Sequence, residues 1–141
     1  MTRAGAALAL SAVLVACGCG SSVNPSTGEL QGAVRQGVAD VRSTSDMESL
    51  RPRLLATLAR IRALRGGDPA SRRARILALR GFGLTLRGVE SRLAFERNDS
   101  GEVAAATRDA VRADRYLSRG AELLRAAGRL LGVPVGTLNG Y

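Results

Sequence analysis

The chain contains no histidine, no lysine and no tryptophan, and aromatic residues make up only 3% of it. Without histidine there is no Ser-His or Cys-His pair to activate a nucleophile and no imidazole to ligate a metal. The Glu-x-x-His motif of di-iron helical bundles is excluded for the same reason. Two Phe and two Tyr leave no stacking platform for nucleic-acid bases. A phosphate-cradling loop is missing as well, because Gly66-Gly67-Asp68 has neither a preceding strand nor a lysine. Any core must come from Leu, Val, Ile and Ala, within an apolar fraction of 45%.

The start of the chain is informative. Met1-Thr2-Arg3 supplies one positive charge, and Ala4 to Val15 follows as an apolar run. That run falls short of the about 20 residues a bilayer-spanning helix needs, and has the order of an export signal. It ends in Leu14-Val15-Ala16-Cys17. These four residues resemble the lipobox of bacterial lipoproteins: Leu, a small or branched residue, Ala or Gly, then Cys. The resemblance covers about the first 20 residues and implies cleavage before Cys17, with Cys17 becoming the acylated N-terminus. Anchoring by two or more acyl chains is firm, whereas one chain gives marginal binding. With Cys17 modified, Cys19 is left without an intrachain partner.

Four regions are expected along the chain: the signal 1–16, a flexible tether 17–28 of Gly, Ser, Asn and Pro, a helical domain 29–128, and an extended tail 129–141. The first helix is expected over Glu29–Arg42, with Leu30, Val34, Val38 and Val41 on one face. A second is expected over Asp46–Arg65 from a capping box of Ser45 and Glu48, burying Met47, Leu50, Leu54, Leu58, Ile61 and Leu64. Pro52 should either kink its first turns or move its start to Ser49. The third, Pro69–Arg97, starts at Asp68-Pro69 and has two apolar sides. One holds Leu79, Phe82, Leu86, Val89 and Leu93. The other holds Leu77, Leu84 and Phe95 beside Gly81 and Gly88, which either allow close backbone approach or mark a break at Gly81-Phe82-Gly83. The fourth is expected over Ser100–Ala127, with Val103, Ala106, Ala110, Leu117, Ala121 and Leu124 inward, and Arg108, Arg112, Arg115 and Arg119 on the opposite face. Asp99 and Glu102 would cap it, which accounts for the small acidic group they form with Glu96 without invoking a metal. The expected fold is all-α, a small antiparallel up-down bundle.

All 21 basic residues are Arg, against 12 acids. The excess lies between Arg51 and Arg97, which holds twelve Arg and three acids. Arg73, Arg80 and Arg87 recur every seven residues along the third helix, a candidate anion-binding stripe for lipid headgroups or acidic envelope polymers. The opposing reading is a solvated face in a protein from a GC-rich genome, where Arg codons displace Lys. Asp114 is expected to be a buried carboxylate paired with an Arg of the second or third helix.

No catalytic constellation, metal site or cofactor site is apparent in the sequence. The expectation is a non-catalytic lipoprotein of the bacterial envelope, anchored through Cys17 at the extracytoplasmic face and acting as an interaction or structural module. The alternative is an Arg-rich binder of anionic lipid or envelope polymers. Partners are the membrane, an envelope protein or a second copy through Leu77, Leu84 and Phe95, but not nucleic acid, which an exported protein seldom meets.

Overall fold

The computed structural model describes residues 25–65, 67–97 and 103–138. Cys17, the expected signal, most of the expected tether, and the Asp99 and Glu102 caps lie outside the described residues. Among these residues four helices follow one another: α1 Pro25–Ser43, α2 Met47–Ala63, α3 Pro69–Glu96 and α4 Val103–Leu131. They alternate in direction and pack as an all-α bundle.

Helix starts follow from local chemistry. α1 begins at Pro25, four residues before the expected Glu29, so the end of the expected tether is helical. Proline at the first helical position costs no hydrogen bond. Thr27 is then held by the α3 start: its hydroxyl donates to Asp68 Oδ2 at 3.2 Å and lies 2.9 Å from Ser71 Oγ. At α2 the cap is Asp46 rather than Ser45. Its carboxylate accepts from the backbone N–H of Glu48 at 3.2 Å and of Ser49 at 2.8 Å. A box on Ser45 would need the helix to begin one residue earlier. Pro52 stays inside α2 without shifting the start to Ser49. Around it, Leu50 and Leu54 are fully buried, so packing offsets the lost backbone bond.

The core runs the length of the bundle. Leu30, Val34 and Val38 of α1 meet Leu50, Leu54, Leu58 and Ile61 of α2 and Ala78, Phe82 and Val89 of α3. Phe82 marks the waist: a Cβ placed on Gly37 would stand 2.6 Å from both its Cζ and Thr57 Cγ2. Burying side chains of this size contributes about 1.5–3 kcal/mol each.

α3 is central and unbroken through Gly81–Gly83. Its second apolar side is the one α4 covers. A Cβ on Gly81 would meet Leu124 Cγ at 2.8 Å, one on Gly88 would meet Leu117 Cγ at 2.6 Å, and one on Gly120 would come within 3.0 Å of the Gly81 carbonyl. Small residues thus bring the two backbones together. Thr85 returns its hydroxyl to the Gly81 carbonyl at 3.1 Å, which leaves that group satisfied inside the contact. Leu77 and Leu84 share this side and are half-buried, while Phe95 is exposed.

The antiparallel pairing of Gly88 with Leu117 and Gly81 with Leu124 sets where α4 stops being covered. Val103, expected inward, falls past the end of α3 and is 77% exposed. Ala113 and Gly120, which were not among the expected inward residues, are buried instead.

α4 continues to Leu131, beyond the expected stop at Gly128. It ends in a left-handed Gly132 (φ 66°), with the Val133 N–H donating to the Gly128 carbonyl at 2.9 Å. Residues 133–138, with a left-handed Gly136 (φ 57°), then turn back over the bundle, with Val133 and Val135 buried in the core. Gln31 donates to the Leu131 carbonyl at 2.7 Å and Arg42 to the Val135 carbonyl at 2.7 Å. The tail therefore lies between α1 and α4, closing the side on which those helices meet least.

Candidate functional site

The four helices define two ends. At the lower end α1 and α3 begin while α2 and α4 finish. At the upper end α1 and α3 finish while α2 and α4 begin.

The expected stripe of Arg73, Arg80 and Arg87 is exposed, and none of the three forms a hydrogen bond or ion pair among the described residues. The stripe climbs α3 from the lower end past the waist, with only Arg73 near the corner where α2 turns into α3. Asp114 does pair with an α3 arginine, Arg92, at 2.8 Å, but its side chain is 65% exposed. The expectation of a buried carboxylate is therefore corrected. Ala113 occupies the contact with α3, and Asp114 is turned to the rim by its one-residue offset.

A different cluster forms at the α2–α3 corner. Arg62, Arg65, Arg72, Arg75 and Ile76, with the last turn of α2, line a surface groove of about 560 Å³. Two of these arginines are fixed by backbone carbonyls. Arg75 donates through Nε to Ile61 at 3.0 Å and through Nη2 to Arg62 at 2.7 Å, satisfying carbonyls that the end of α2 leaves open. Arg72 donates to the Gly67 carbonyl at 2.9 Å. These bonds hold the guanidinium groups in place without neutralising them. Arg62 and Arg65 have no side-chain partner among the described residues.

The one carboxylate in this corner, Asp68, is already occupied. It caps α3 through the Ser71 N–H at 2.9 Å and accepts from the Ser71 hydroxyl at 2.5 Å. The Ser71 hydroxyl and N–H, with help from Thr27, hold its pKa at about 2. Asp46, at the upper end, is likewise held below the usual carboxylate range by Ser49 and the Glu48 N–H. Both lowered carboxylates belong to helix caps.

The upper end has a different charge arrangement. All five ion pairs formed among the described residues lie there: Arg51–Glu90, Arg53–Asp40, Arg92–Asp114, Arg97–Glu48 and Arg112–Asp109. The outer seam between α2 and α3 is thus ion-paired above the waist and, apart from the capping Asp68, cationic below it. Sequence reading located the Arg excess but not this corner, because α2 and α3 contribute its residues jointly.

Among the described residues no group of His, Cys, Asp and Glu is arranged to hold a metal, and no helix is long and apolar enough to cross a membrane. No family model, curated protein or solved structure matches the chain.

Proposed function

We propose that the protein is a lipid-anchored lipoprotein of the bacterial envelope. In this reading its helical bundle is a non-catalytic interaction or structural module, held at the extracytoplasmic face of the membrane. The observation that carries the reading is Leu14-Val15-Ala16-Cys17 at the end of a short apolar run with a basic start. Two structural features support it. Among the described residues every core side chain lies at or beyond Leu30, so cleavage ahead of Cys17 removes none of these. Among the described residues, the carboxylates with lowered proton affinity, Asp46 and Asp68, are engaged in capping helices.

The test is metabolic labelling of the full-length chain with radioactive palmitate, alongside Cys17→Ala and Cys19→Ala variants. Label is expected on the parent and on Cys19→Ala, with both partitioning into a detergent phase. Cys17→Ala should carry none. Label persisting on Cys17→Ala would overturn the anchor assignment.

A further inference from the structure

We infer that the cationic α2–α3 corner is a membrane-facing surface, docking on the anionic headgroups of the bilayer that holds Cys17. The inference rests on the anchor proposed above and adds which face of the bundle meets the lipid.

Three observations converge. The first is chain length. Eight peptide steps separate Cys17 from Pro25, where α1 begins, and they span at most about 29 Å even fully stretched. The start of α1 therefore cannot leave the neighbourhood of the headgroups. The second is the position of that start within the fold. Thr27, two residues into α1, is hydrogen-bonded to Asp68 and close to Ser71, so the tethered end and the α2–α3 corner are the same end of the molecule. The third is charge. Arg60, Arg62, Arg65, Arg72, Arg73 and Arg75 crowd this corner, and Asp68 is the one acid between residues 49 and 89. The remaining acids of the lower half, Glu29 and Glu122, stand on α1 and α4.

The surface also carries something to insert. Ile76 is 50% exposed inside the groove, one helical turn from Arg72 and Arg73, and Leu130 is 40% exposed at the lower end of α4. Arginines around an exposed aliphatic side chain suit an interface with phosphate above and acyl chain beneath. Fixing Arg72 and Arg75 on backbone carbonyls holds two cations at the corner before lipid arrives. The upper end also sets an exposed Val111 among Arg108, Arg112 and Arg115, but it lies at the opposite end from the tethered start of α1, and five of its arginines are held by carboxylates.

The test uses residues 18–141, which retain every core side chain found among the described residues and carry no lipid; circular dichroism first checks that they fold. Sedimentation is measured with vesicles of phosphatidylcholine alone and with phosphatidylglycerol added, at about 0.05 M and about 0.5 M salt. Binding is expected only to the anionic vesicles and only at low salt. Arg62→Gln/Arg65→Gln/Arg73→Gln is expected to weaken it on the order of a hundredfold, while the charge-matched upper set Arg87→Gln/Arg108→Gln/Arg115→Gln changes it less than about threefold. Circular dichroism checks that both sets fold. Equal losses in the two sets would overturn the inference by reducing it to net charge. So would absence of vesicle binding, including the case in which soluble polyphosphate is bound instead. Palmitate labelling reports on the anchor separately, so failure of one reading is distinguishable from failure of the other.

Discussion

The two ends of the α2–α3 seam are built from the same kinds of residue and behave differently. Above the waist, Arg51 faces Glu90 and Arg97 faces Glu48 across the two helices. Below it, Arg62 and Arg65 face Arg72, Arg75 and Ile76 with no carboxylate opposite. The upper pairs are solvent-exposed and contribute little to stability, since such pairs are worth about 0–1 kcal/mol. Their consequence is local neutrality. The lower end lacks it, and its polar organisation comes instead from helix caps and arginine-to-carbonyl bonds. Stability is thus supplied by the shared apolar core, and charge distinguishes the ends.

That division can be broken most forcefully at the waist. Phe82→Ala should cost about 3–5 kcal/mol, because the ring is fully buried against α1 and α2. Both ends should then lose structure in one transition, read by chemical denaturation with probes at each end. Separate transitions would mean that the ends are independent units.

Gly120→Ala comes next. A methyl there would stand 3.0 Å from the Gly81 carbonyl and 3.1 Å from the Thr85 nitrogen, so the change should cost about 1–3 kcal/mol despite better helix propensity. Gly83→Ala, with open space around it, should be neutral or stabilising by up to about 1 kcal/mol. Paired melting curves would check the contrast.

Acid titration sharpens the comparison at the lower end. The Asp68 pKa falls from 3.8 to about 2 on folding, so the unfolded chain binds the proton more readily between those values. Its contribution is complete above pH 3.8 and is lost as pH falls towards 2. Asp68→Asn should therefore be less stable than the parent at neutral pH and lose less on acidification, measured as midpoint against pH. The smallest effect belongs to the upper end. Asp114→Ala, which removes an exposed partner of Arg92, should cost no more than about 1 kcal/mol, and less in high salt.

Much of the bundle was legible in the residues. The α1 face of Leu30, Val34, Val38 and Val41 is buried as its spacing predicts, and so are Met47, Leu50, Leu54, Leu58 and Ile61 of α2. Asp68-Pro69 starts α3 where expected. These features depend on neighbours within a turn or on helical period alone. Readings that required a partner element failed. Val103 has an apolar side chain at an inward spacing, but α3 ends before reaching it. Asp114 lies near an apolar stripe, yet the register that buries Ala113 and Gly120 leaves it at the rim. The corner cluster was invisible for the same reason, since spacing within α2 or α3 does not say which arginines of one face those of the other.

The sequence by itself determined the all-α class, the approximate ends of the four helices found among the described residues and most of the faces they bury. Those properties follow from the 3.6-residue period, from proline and glycine, and from short-range capping. Only the tertiary structure decided that α3 is central and continuous, that the tail fills the space between α1 and α4, and that carboxylates meet arginines at one end but not the other. Each of these depends on distances between segments far apart in the chain, and they are set jointly by core volume and helix register.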